Sequence, residues 1–299
     1  MEILGLDVGY SDTKDHKYNI FRTAFSLYDQ SVFTPTKLTI DGKDYYPGTG
    51  RMTSEVDKTN TEMNKVCTIY NLILNNIREV YLVVGLPIGQ YQEQKDKLRD
   101  NILAYNKCKV MHNDKPYEFK IRDVIVTRQG VSSLYTMKEL YGEYIVIDIG
   151  GLTVDVSLAE FGVNNAQLIK YDTWFLGIRT LYSSIISAVN NHFCLNLEVQ
   201  YAEKILRRGL SIYGKPQDLS FLKPLLLDYI DTLAEEIRLK YPVDTVPIYL
   251  TGGGAELLYN PFCKRFADVH KIDNPQFANA LGYYIQGYFK YTQRSGVIG

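Results

Sequence analysis

The chain has 299 residues, 45% of them hydrophobic, which is enough for one large domain or two ordinary ones with a sizeable core and excludes a disordered chain. Its 33 Lys plus Arg against 34 Asp plus Glu argue against a dedicated nucleic-acid binder, which carries a basic excess. The N-terminus has no basic region followed by an apolar one, and no apolar run approaches the ~20 residues that span a bilayer, so a soluble cytoplasmic protein without membrane contact is expected.

The first strand runs from Ile3 to Val8, with the turn Gly9 to Asp12 after it. Asp41-Gly42 sits between "KLTI" and "KDYY", a hairpin signal. Residues 47 to 62 are polar and read as an exposed loop. The apolar spacing of Val66, Ile69, Tyr70, Ile73, Leu74 and Ile77 predicts a helix over Asn64 to Ile77. "VYLVVGLPIG" reads as a buried strand with a Gly-Pro stop, and residues 91 to 106 as a polar amphipathic helix. Tyr117 to Arg128 contains one or two strands, and Val131 to Tyr141 a short helix.

The chain then repeats its opening: strand Tyr144 to Ile149, a glycine turn, strand Val154 to Ala159. Helices are expected over Ile178 to Phe193 and Leu222 to Lys240, separated by a polar, basic region from Gln200 to Lys215. "VPIYL" is a buried strand ended by Thr251 and three glycines, with a helix opening at Ala255. Pro275 to Tyr291 is the last helix, before the tail "QRSGVIG". The four cysteines stand far apart without metal-ligand spacing and read as isolated reduced thiols.

"LDVGYSDTK" and "VIDIGGLTVDVS" share one chemistry: an apolar strand ends in Asp, and glycines follow. The turn gathers backbone N–H groups in a concavity that suits phosphate oxygens. The carboxylate suits a hydrated Mg²⁺. Lys14, seven residues after Asp7, can reach a phosphate as a point charge. The third turn, "YLTGGGAEL", lacks an Asp. Missing side chains at Gly252, Gly253 and Gly254 permit close approach of a flat ligand such as a nucleobase. Each turn alone could be a tight connection without a ligand. All three in this order, each after a strand, point to a polyphosphate clamp. No GxxxxGK[ST] occurs, so the P-loop mechanism is excluded.

These three motifs resemble the first phosphate, second phosphate and adenosine motifs of the actin/Hsp70/sugar-kinase superfamily. "GGGAELL" and the late "NPQFANALGYYIQG" look most like plasmid-segregation actins of the ParM type and archaeal actin-like proteins. The resemblance covers about the whole chain. It implies an actin-like (ribonuclease-H-like) α/β fold, two lobes with mixed five-stranded sheets around a nucleotide cleft. Domain I is then expected at 1–143 plus 273–299, with a small inserted subdomain at about 31–62. Domain II is expected at 144–272, with a small helical subdomain at about 190–222.

By the same resemblance Asp7 positions the hydrated Mg²⁺, and Asp148 serves as a second metal-site and catalytic carboxylate. Gly9, Tyr10, Ser11, Asp12, Thr13 and Lys14 form the first phosphate loop; Gly150, Gly151, Leu152 and Thr153 form the second. Gly252, Gly253 and Gly254 form the adenosine loop, with Glu256 at its helix start, and Glu203 and Lys204 contact ribose and base. Gln129, after a strand and before a helix, would orient the attacking water, an amide being a poor base. Tyr10 departs from the Ser or Thr of many members, so the first loop would bind phosphate mainly through backbone. The implied ligands are ATP, with GTP as the alternative, and Mg²⁺. The implied partners are further copies of the chain in a filament and a DNA-binding adaptor, without direct nucleic-acid binding. The chain leaves no room for a peptide-binding domain and shows no sugar-site motif. A non-polymerising small-molecule kinase of the same superfamily, with Asp148 or Asp155 as base, stands as the alternative.

Overall fold

A computed structural model of the chain describes residues 2–29, 36–52, 57–59, 61–162 and 166–293. Parts of the expected 31–62 insertion and of the tail lie outside these residues.

Strands β1 (Ile3–Val8), β2 (Asp12–Asp15), β3 (Ile20–Arg22), β4 (Glu79–Leu86) and β5 (Lys120–Arg128) form one sheet in the order β5-β4-β1-β2-β3. β1, β4 and β5 run parallel, while β2 and β3 are added antiparallel. Strands β6 (Gly142–Ile149), β7 (Val154–Phe161), β8 (Ala166–Trp174), β9 (Ile248–Thr251) and β10 (Val269–Lys271) form a second sheet in the order β8-β7-β6-β9-β10. Here β6, β9 and β10 run parallel, and β7 and β8 are antiparallel. The second sheet thus repeats the first strand for strand, with β6 in the place of β1. The duplication read at Asp7 and Asp148 extends to both whole sheets, and the fold is the expected α/β class with two mixed five-stranded sheets.

Alternation along β1 and β6 decides where the carboxylates go. Leu4, Leu6 and Val8 enter one core with Leu82, Val84, Val66, Ile69 and Leu72. Ile145, Ile147 and Ile149 enter another with Ile185, Ile230 and Leu233. Asp7 therefore shares the opposite face with Gly5, and Asp148 shares its face with Val146. On the Gly5 face the C-terminal helix α7 is seated. In chain order the helices are α1 (Glu62–Leu74), α2 (Ile88–Ala104), α3 (Ile178–Phe193), α4 (Ala202–Arg208), α5 (Lys223–Lys240), α6 (Ala255–Cys263) and α7 (Ala278–Gln293). A Cβ on Gly5 would strike the Ala280 carbonyl, and one on Gly282 the Ser132 carbonyl. Glycine at position 5 lets α7 lie directly on the first sheet, and glycine at 282 lets it lie close against the segment after β5.

A small six-stranded sheet carries Ala24–Ser26, Leu38–Ile40, Lys43–Pro47, Arg51–Met52, Val110–His112 and Lys115–Pro116. Asp41 and Gly42 join two of its strands with φ of 52° and 85°, the two left-handed residues of a type I′ hairpin turn. The sequence reading did not foresee β2, β3, β10 or the small sheet's strands Ala24–Ser26, Arg51–Met52, Val110–His112 and Lys115–Pro116, and three further elements differ from it. β8 was not foreseen, because this edge strand is mostly half-buried or exposed and lacks an apolar run. The short helix after Gly130 is a 3₁₀ segment over Val131–Thr136 only. The polar region 200–215 holds α4 and a two-stranded hairpin, Ser211–Ile212 with Lys215–Pro216.

Candidate functional site

The two Asp turns are built alike. Gly9 N–H donates to the Asp12 carbonyl at 3.1 Å, and Gly150 N–H donates to the Thr153 carbonyl at 2.9 Å. In register, Asp7 faces Lys14 across β1 and β2, and Asp148 faces Asp155 across β6 and β7. The turns also meet: a side chain on Gly151 would collide with the Ser11 hydroxyl. Between them opens a cavity of about 570 Å³, within the usual size of a small-molecule site.

Its buried end is a set of carboxylates held by neutral donors. Gln129 Nε2 donates to Asp7 Oδ1 at 2.9 Å. Lys14 Nζ stands 3.7 Å from Asp7 Oδ2. Asn279, in the first turn of α7, donates from Nδ2 to Asp148 Oδ2 at 2.7 Å. Its Oδ1 accepts from Gly130 N–H at 2.9 Å. One amide thus ties the second sheet's carboxylate to the segment following β5. Asp155 accepts from Thr173 Oγ1 at 2.5 Å and from Thr153 Oγ1 at 3.2 Å.

Burial pushes Asp148 up to about 7; Asp155 and Asp7 add to the rise, while the Asn279 hydrogen bond and Lys14 oppose it. Asp155 is raised as well, chiefly by burial and against its two threonine hydrogen bonds and Lys58. A carboxyl raised on folding contributes stability that is fully present below its unfolded pKa and is lost as pH rises through its folded one. Asn in place of Asp148 mimics the protonated form at every pH. Relative to wild type, nucleotide-free Asp148→Asn should therefore gain thermal stability as pH rises from about 5 to about 8. Melting midpoints across that range check this, and a difference independent of pH contradicts it.

The third turn divides its glycines. Gly252 has φ 86°, and a side chain there would collide with Asp148 Oδ1 and the Ile149 carbonyl. Gly254 packs against the Ile149 side chain and does not line the cavity. Only Gly253 combines open space at its Cβ position with a place on the cavity wall. Gly252 lines the cavity too, but the smallness of Gly252 and of Gly254 is also what makes room for the second Asp turn.

The other expected residues sort in the same way. Gly9, Tyr10, Ser11, Asp12, Lys14, Gly150, Gly151 and Thr153 line the cavity, as do Asp7, Gln129 and Asp148. Glu203 and Lys204, on α4, line it near exposed Tyr201 at its mouth. Arg22 Nη1 reaches Gln200 Oε1 at 2.7 Å there, a contact between β3 and the segment before α4. Four expected residues stand apart. Thr13 alternates to the other side of β2 and pairs with Thr23 Oγ1 at 2.9 Å. Leu152 gives its carbonyl to Gly177 N–H. Gly254 is the third, and Glu256 pairs with Lys271 at 2.6 Å outside the cavity. Conversely, Asn279, Lys58 and Arg179 line the cavity without having been singled out. Asn279 sits inside the quoted "NPQFANALG", but its role depends on where α7 docks.

Asp7 and Asp148 offer hard carboxylate oxygens to one cavity, the donor type Mg²⁺ takes. Among the described residues no third carboxylate, His or Cys completes a protein cage around them. They fit an ion that keeps most of its waters. No helix among the described residues is long and apolar enough to cross a membrane.

Residues 5–131 match the family described as actin-like proteins, N-terminal domain. No curated protein matches the chain. Solved structures match over nearly its whole length. The archaeal actin homolog Ta0583 aligns with a TM-score of 0.84 and 22% identity over 97% of this chain and 100% of that one. The same protein in complex with ADP aligns at 0.81 and 23%, over 95% and 98%. A 15-stranded ParM filament from Clostridium botulinum aligns at 0.76 and 19%, over 97% and 100%. Such identities speak for the fold alone: the chain has the actin-like fold, and its N-terminal part matches the actin-like family.

Proposed function

We propose that the chain is an ATPase that binds ATP with Mg²⁺ between two lobes, polymerises in the bound state and hydrolyses the nucleotide slowly, with DNA segregation through an adaptor as its use. The lobes are residues 1–143 with 273–299, and 144–272; GTP is the alternative nucleotide. The observation that carries the reading is the mirrored pair of Asp turns facing one cavity, with Gly253 open on its wall. The ADP complex of Ta0583 and the ParM filament, both of the same fold, support nucleotide and self-assembly.

The two turns bind phosphate through backbone N–H groups, and Lys14 adds a charge. When bound, hydrated Mg²⁺ neutralises phosphate charge. Asp7 and Asp148 would hold it through its waters. Because Gln129 commits Nε2 to Asp7, its Oε1 can accept a hydrogen bond from water and orient it. Asn279 keeps Asp148 oriented. Association through unlike faces with an open screw operation yields filaments rather than rings.

Gln129→Ala should lower the ATPase rate while filaments still assemble and outlast those of wild type. Pelleting and phosphate release on one sample check this; loss of ATP binding would make Gln129 structural. The reading as a whole is tested by sedimentation with Mg²⁺ and ATP and no second substrate. Pelleting supports it. A chain that binds ATP, never pellets and phosphorylates a small molecule is a kinase instead.

A further inference from the structure

Lys58 belongs to none of the three motifs. It sits in the polar stretch read as an exposed loop, yet it is only 7% exposed and lines the cavity. Its Nζ donates to the Val8 carbonyl at 3.0 Å, immediately before Gly9. It also stands 4.1 Å from the centroid of the Tyr10 ring. An ammonium has three donors. Among the described residues, one carbonyl and one ring face are what it meets, and no carboxylate lies within ion-pair reach. Lys14 differs: Asp7 is 3.7 Å away. Burial disfavours the charge of Lys58, and Asp7, Asp155 and Asp148 support it only from farther off. A buried cation in this position is costly until an anion completes it.

Place in the cavity says which anion. The mouth is marked by exposed Val199 and Tyr201, and the far end by buried Asp7, Asp148, Asp155 and Lys58. A nucleotide entering with its base at the mouth puts its last phosphate at the far end. We propose that Lys58 is a phosphate-binding residue that contacts the terminal phosphate of a nucleoside triphosphate and so distinguishes it from the diphosphate. This rests on the nucleotide reading above. A diphosphate leaves the ammonium incompletely paired; a triphosphate satisfies it with a charge-assisted hydrogen bond.

The test is calorimetric titration of the full chain with ATP and with ADP, in Mg²⁺, for wild type and Lys58→Met. The variant should lose about 10- to 100-fold in ATP affinity and much less in ADP affinity. Equal losses for both nucleotides would make Lys58 a brace for the first turn and overturn the assignment, as would no loss at all. If wild type binds neither nucleotide, the nucleotide reading itself fails. Should Lys58→Met not fold, ¹⁵N-lysine-labelled wild type answers the same question. One exchange-protected amine resonance should shift on adding ATP and not on adding ADP, and the absence of such a signal overturns the inference.

Discussion

Asp148→Asn should release phosphate from ATP about 10²–10³-fold more slowly than wild type while still binding nucleotide. The residue ends a buried strand, lines the cavity and faces both Asp7 and Asp155. Asparagine keeps an oxygen for the Asn279 amide, which alanine would leave buried without an acceptor. What it removes is the negative charge at the place where phosphate and its counter-ion would meet. Steady-state phosphate release beside an equilibrium binding titration separates the two effects. Wild-type turnover in Asp148→Asn would remove the carboxylate from the mechanism.

Gly253→Val should abolish nucleotide binding in a folded protein. A Cβ at Gly253 meets no protein atom within 4 Å, so the branched side chain extends into the cavity rather than into the core. The same substitution one residue earlier should act in the opposite sense. Gly252 has φ 86° and abuts Asp148 and Ile149, so valine there strains the backbone and displaces the second Asp turn. The expected contrast is a stable Gly253→Val that retains no ATP and a Gly252→Val of much lower melting temperature. Circular dichroism and ATP retention on the same preparations read both. Tight ATP binding by well-folded Gly253→Val would put the base elsewhere.

The parts of the site legible in the sequence are those fixed by neighbours along the chain. A strand ending in Asp, a glycine turn and a returning strand specify one another locally. Asp7, Gly9, Asp148 and Gly150 could therefore be placed before any contact was known, while the matched strand order of the two sheets is visible only in the structure. What stayed hidden is made by distant contacts. Asn279 meets Asp148 from 131 positions away, through the seating of α7. Lys58 looks like one more polar residue of a loop until Val8 and Tyr10 close around it. The triple glycine was legible as a motif, but its division of labour was not. Gly252 and Gly254 are small because of Asp148 and Ile149, residues of another strand. β8 escaped because an edge strand with one exposed face carries little apolar signal.

The proposed function rests on two mirrored Asp turns and one open glycine forming a single site for a Mg²⁺-nucleotide. Calorimetric titration of the purified chain with ATP, with and without Mg²⁺, tests it most directly. One ATP per chain is expected, bound more tightly with Mg²⁺ than without it. Absence of binding heat under both conditions, with ATP passing freely through equilibrium dialysis, would contradict it.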